Sequence, residues 1–295
     1  MLNRWIGIVA AAGMVLANAA IFTRDVLPRW MPDDAPPSEA QLLAPNERRL
    51  AQVGIYDDDG RTIGHSWTRS VRAGLASVVT VATTTVLEQL HLPNAVTTPR
   101  VRIETRLTYR YSDRHVDELD FRMHGLGIPI TLHGESYATG EFACLWQVAS
   151  DRGEFLLDSS APAALSDAIR PFDRLPNLYV GQTWQLKLLD PLAQMLPGLQ
   201  QAGLDLEPVV IKVTGTEVIR HQEHEIEAFV VEGGGATAWV AHDGRVLRQE
   251  VDVPLLGRLI LLEEPFDEEA LERAVRSVPP VGSDRSPPPE TVTPE

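Results

Sequence analysis

The chain has 295 residues, 44% of them apolar, and sets 26 Lys and Arg against 41 Asp and Glu for a formal net charge of -15. That apolar share is enough for a buried core and excludes a disordered linker protein, while the charge excludes nucleic acid as a partner held by bulk electrostatics. A single cysteine, Cys144, excludes an intramolecular disulfide, a zinc site built from several thiolates and a lipid-modified cysteine after the leader.

From Trp5 to Phe22 the chain carries no charge, and Arg24, Asp25 and Arg29 close the run. As a helix it would rise about 27 Å at roughly 1.5 Å per residue, close to the ~30 Å hydrocarbon thickness. Trp5 and Trp30 flank it as interface anchors do, and Arg4 favours a cytoplasmic N-terminus. Residues 1–30 are therefore expected to be an N-terminal transmembrane helix. The bulk of the chain then lies outside a cell membrane crossed once, with the membrane itself as a partner through residues 5–22. Ala17-Asn18-Ala19 offers a small-x-small site at which a signal peptide would instead be cut. Residues 31–47 read as a proline-rich stalk, 48–276 as one β-rich domain, and 277–295 as a disordered tail rich in Pro, Ser, Thr and acids.

Inside the domain the dominant period is two. Val101, Ile103, Thr105, Leu107, Tyr109 and Tyr111 fall on one face and Arg100, Arg102, Glu104, Arg106, Thr108 and Arg110 on the other, which predicts a half-buried strand. Leu119, Phe121 and Met123 against Glu118, Asp120, Arg122 and His124 repeat the pattern, with acids placed near the preceding arginines. A solvated face with cross-strand ion pairs outweighs an anion-binding reading of the arginine stripe. Asp59-Gly60 and Asp243-Gly244, each between apolar alternations, predict hairpins with type I′ turns. Further strands are expected at 64–72, 76–87, 128–138, 141–149, 153–158, 182–189, 208–219, 225–232 and 257–263. Helices are expected at 161–170, 191–202 and 266–276, the last with acids in its first turn. The fold class is mainly β (α+β), a curved antiparallel sheet or half-barrel with a few packed helices.

No constellation points to catalysis. Gly134-Glu135-Ser136-Tyr137-Ala138 approaches a nucleophile elbow, yet the residues after it read as a strand where an elbow needs a helix. A serine hydrolase using Ser136 is thus only the alternative to a non-enzymatic role. His221-x-x-His224 sits between strand-like flanks, where residues three apart face opposite sides, so a solvated hairpin tip is expected and no metal. Asp57-Asp58-Asp59 lacks the spacing and distal acid of a calcium loop. Gly233-Gly234-Gly235 lacks the Lys and helix of a phosphate loop and reads as a turn. Cys144, within Phe142-Ala143-Cys144-Leu145-Trp146, is expected to be a small buried hydrophobe. No cofactor is called for.

Gly181-Gln182-Thr183-Trp184, then Val213-Thr214-Gly215-Thr216-Glu217, then the stretch from Ala238 through Trp239 and Asp243-Gly244 to Arg248 resemble exported uncharacterised proteins. The strands of those proteins form an incomplete β-barrel similar to the periplasmic lipoprotein carriers. The resemblance implies such a half-barrel here and brings no catalytic residue with it. Apart from it, a half-open barrel leaves an apolar face suited to an acyl chain or hydrophobic peptide. Trp146, Trp184, Leu192, Met195, Leu196 and Trp239 are the residues expected near that ligand. The functional expectation is a membrane-anchored extracytoplasmic binding or scaffold domain, for a lipid or other hydrophobic ligand or as accessory subunit of an envelope complex. A purely structural partner-binding role is its neighbour.

Overall fold

The computed structural model describes residues 35–37, 43–74, 78–88, 91–92, 96–97, 99–110, 116–125, 127–128, 130–137, 141–158, 174–186, 209–253 and 257–278. The segments expected to be an anchor at 5–22 and helices at 161–170 and 191–202 lie outside them, as do nearly all of residues 277–295 and parts of 31–47. Among the described residues, no helix is long and apolar enough to cross a membrane.

Strands dominate. The first half contributes β1 (Arg48–Asp57), β2 (Thr62–Arg72), β3 (Val78–Leu87), β4 (His91–Leu92), β5 (Val96–Thr97), β6 (Val101–Arg110), β7 (Val116–His124), β8 (Ile130–Ser136), β9 (Glu141–Val148) and β10 (Asp151–Asp158). The second half contributes β11 (Thr183–Leu186), β12 (Val209–His221), β13 (His224–Gly233), β14 (Ala236–Ala241), β15 (Val246–Val253) and β16 (Gly257–Glu264). One helix, α1 (Glu268–Ser277), follows β16 where 266–276 was expected to be helical, and it is the only helix among the described residues. Fourteen strands form one curved, unclosed antiparallel sheet in the order β10-β9-β8-β7-β6-β3-β2-β1-β16-β15-β14-β13-β12-β11. Two meanders are thereby joined through the pairing of the first strand with the last, from Gln52 opposite Glu264 to Asp57 opposite Leu259. β4 and β5 form a separate short hairpin within the β3–β6 connection.

The turns explain how so many hairpins hold register, and they correct one expectation. At Asp57–Gly60 the amide of Gly60 donates to the Asp57 carbonyl, and only Gly60 has positive φ (75°). At Ala241–Gly244 the same bond recurs, with Gly244 at φ 86°. Both are type I turns followed by a left-handed glycine and a bulge, where type I′ was expected. The type I′ pattern, positive φ at both central residues, falls instead on Gln222-Glu223 (45° and 68°) and Gly234-Gly235 (61° and 77°). Side chains within the turns hold them: Asp57, at the start of the first, accepts the Arg61 N–H across it, and Asp243, inside the second, accepts the Arg245 N–H two residues on.

Strand parity then sorts the side chains. Cross-strand partners share a face, so Ala51, Thr68, Thr83, Thr105, Phe121, Leu132 and Trp146 align from β1 to β9. This face carries the largest cluster, with Leu107, Leu119, Phe121, Leu132, Phe142 and Cys144 buried together. It continues through Val53, Ile55 and Leu261 at the centre to Val213, Val231, Val240 and Trp184 at the far end. Glycine sets the spacing at one point: a Cβ on Gly134 would lie 2.3 Å from the Phe142 ring. Gly134→Ala should therefore cost about 1–3 kcal/mol of overpacking. Urea unfolding of the single variant and of Gly134→Ala with Phe142→Leu measures this: the smaller partner should recover part of the loss, and simple additivity would contradict the contact.

Candidate functional site

The opposite face carries Gln52, Trp67, Arg102 and the described cavities. Helix α1 begins at Asp267, whose carboxylate accepts the Ala270 N–H at 2.9 Å, and Glu268 and Glu269 complement the N-terminal dipole. Its apolar side, Ala270, Leu271 and Ala274, packs with Phe266 and Val278 onto Trp67 and Val86. The buried guanidinium of Arg102 donates to the Val275 carbonyl at 2.7 Å and so satisfies the helix C-terminus. Between helix and sheet lies a cleft of about 360 Å³ lined by His65, Trp67, Val86, Glu88, Arg100, Ala270, Arg273, Ala274 and Ser277. Trp67, Val86 and the two alanines make an apolar floor. At the rim stand two ion-paired arginines, Arg100, whose Nε is 2.7 Å from Glu88, and Arg273, which lies 3.5 Å from Glu269 and 3.8 Å from Asp267.

The floor is fixed by a buried polar hub. Gln52 accepts from Trp67 Nε1 and from the Asp267 amide, both at 2.8 Å, and donates to Glu264 at 2.9 Å. Tyr56 also donates to Glu264, and His65, stacked on Trp67, lies 3.6 Å from the same carboxylate. Gly54 leaves the room: a Cβ there would meet Glu264 Oε1 at 2.1 Å. Burial, and then the hydrogen bond to Glu264, pushes the Tyr56 phenol up to about 12. A second hollow of about 300 Å³ on this face is lined by Thr84, Glu104, Arg106, Asp120 and Arg122, among others. Beside it the hydrogen bond to Asp120 raises the pKa of His133 against the pull of burial, and Glu135 adds to the effect.

The residues picked from sequence do not form one site. Trp146 lies half-buried against the first-half core, its indole across Gly153, and Trp184 is buried in the second-half cluster on the same face. Trp239 stands on the other face, donating to Glu217 at 2.9 Å with the Arg248 guanidinium 5.2 Å over its ring. Leu192, Met195 and Leu196 lie outside the described residues. Ser136 ends β8 opposite Phe142, in a strand with no elbow. His221 and His224 do flank a hairpin tip, but His221 is buried, not solvated, because it faces Glu263 at 3.2 Å beside Arg245. Cys144 is fully buried, and burial pushes its thiol up to about 12. Sequence reasoning missed His65, Trp67 and Arg273, and saw Arg100 only as part of an arginine stripe read as a solvated face. The available signal was the apolar stripe of α1, which required a sheet surface to cover.

No family model, curated protein or solved structure matches the chain.

Two outcomes follow from this geometry. Gln52→Ala leaves the Trp67 and Asp267 N–H groups without their acceptor and should cost about 1–3 kcal/mol in denaturant unfolding, whereas Gln52→Glu, which keeps an acceptor, presents charge to Glu264 and should be rescued in part by Glu264→Gln. The thiol of Cys144 and the phenol of Tyr56 are both raised on folding, from 9.0 and 10.0. Their stabilisation is complete below those values and is lost as pH rises toward about 12. The unfolding midpoint should thus fall across that alkaline window, and Tyr56→Phe should flatten the fall.

Proposed function

We propose that the chain is a membrane-anchored extracytoplasmic binding domain, and that its ligand is an amphiphile with an apolar body and an anionic head. The observation that carries this reading is the cleft beneath α1: an apolar floor of Trp67, Val86, Ala270 and Ala274 with Arg100 and Arg273 at its rim. Its volume lies at the lower end of the range for small-ligand sites, which suits a short acyl segment better than a whole lipid. The uncharged run at 5–22 supplies the reason to meet such molecules, since a domain held beside a bilayer samples lipid at high local concentration. A curved, unclosed sheet supports the reading, since it is the architecture the sequence resemblance to carrier-type half-barrels would require. The shift from the sequence expectation concerns place. Trp146 and Trp184 pack within the apolar face, whereas the cleft opens on the other one.

Fluorescent dansylaminoundecanoic acid, titrated against the full-length chain in amphipol, tests the assignment. Saturable binding should weaken about tenfold in Ala270→Trp, which fills the cleft, and less in Arg273→Glu, which removes the rim charge. Equal affinity in wild type and Ala270→Trp would overturn the cleft as the site. Absence of saturable binding, together with a co-purifying membrane protein, would favour the structural partner-binding role instead.

A further inference from the structure

A second cluster on the polar face is independent of the cleft. Glu118 and Asp120 lie two apart on β7, and His133 and Glu135 two apart on β8; the register sets Glu118 opposite Glu135 and Asp120 opposite His133. Residues two apart on a strand share a face, so the four form a rectangle of side chains on one surface. Glu118, Asp120 and His133 each offer a ligand atom, all within 4.8 Å of one another.

The two imidazole nitrogens have different surroundings. Nδ1 lies 2.9 Å from Asp120, and Nε2 lies 3.0 Å from Glu135. When Nε2 carries the proton and donates to Glu135, Nδ1 is left with its lone pair beside Asp120. A carboxylate behind a histidine, fixing its tautomer and ring plane, is the arrangement that supports metal-bound imidazole. Asp120 also lines the 300 Å³ hollow, so remaining coordination positions would open into a space bordered by Arg106 and Arg122. Those guanidinium groups disfavour extra cations and suit an anion or water on the metal.

We propose that Glu118, Asp120 and Nδ1 of His133 bind one divalent transition-metal ion, with Glu135 as the residue that positions the histidine. One imidazole with two carboxylates suits zinc or manganese, and an imidazole donor disfavours calcium, which takes oxygen ligands.

The test is equilibrium dialysis of the full-length chain in amphipol against Zn²⁺ and, separately, Mn²⁺ and Ca²⁺, with bound metal counted by elemental analysis. One equivalent of Zn²⁺ or Mn²⁺ should bind. His133→Gln and Asp120→Asn should each weaken it by about tenfold or more, and Glu135→Gln by about tenfold through the orienting bond alone. Circular dichroism and melting in chelator should show each variant folded like the parent; a variant that fails this is replaced by Glu118→Gln, expected to weaken binding likewise. With Co²⁺ as the probe, the visible absorption of a nitrogen- and oxygen-ligated ion should appear in the parent and vanish in His133→Gln. No stoichiometric metal, or metal held equally well by the folded His133→Gln chain, overturns the proposal. Neither result bears on the cleft, because no residue is shared.

Discussion

The pairing of β1 with β16 is the constraint on which the structure depends, and Gln52 sits at its centre. Every other neighbour in the large sheet is joined within one meander or the other; this pairing alone connects the two halves. A seam made only of ladder hydrogen bonds could slip by two residues and still pair. Gln52 removes that freedom by binding Trp67 of β2, Glu264 of β16 and the Asp267 amide at the start of α1 at once. A buried amide is costly unless its donors and acceptor are used, so the correct register is the one that satisfies it. The same contacts set where α1 begins, and so where the cleft opens.

From that seam the two faces acquire different work. The apolar face carries three clusters, one in the first half, one at the seam and one reaching Trp184, with buried polar residues such as Thr68, Thr83 and Gln249 between them. The polar face has only α1 to cover it among the described residues, which leaves room for hollows bounded by charge. This division follows from strand parity alone: a residue one place along belongs to the other surface. It also explains why Trp239 and Trp184 do not cooperate, although both are strand tryptophans in the same half.

Much of the fold was legible in the sequence because the signals were local. The alternation from Val101 to Arg110 and the β-branched run from Val78 to Leu87 marked strands that the structure contains, and the acids after Pro265 marked the start of α1. Turn type was misread because Asp-Gly fits two geometries, with glycine either as a central residue of a type I′ turn or as the left-handed residue that ends a type I turn. Pairings between distant segments carried no local signal. Gln52 and Glu264 are 212 residues apart, and neither is unusual in its own strand. The cluster at Glu118, Asp120 and His133 was hidden for a related reason. Each acid was seen on its strand, but which of them faced the histidine required the β7–β8 register, and composition does not set register.

The seam between first and last strands has a consequence for biosynthesis. As the chain emerges, β2 can cover one edge of β1 through a short hairpin, but the other edge has no partner until the last strand is made. For nearly the whole period of synthesis, that edge presents open backbone groups to any extended peptide nearby. A nascent chain of this design therefore has a long vulnerable interval that ends abruptly with the arrival of residues 257–264. Premature truncation there would leave two half-sheets, each with an added raw edge, and aggregation would be the natural fate of such fragments.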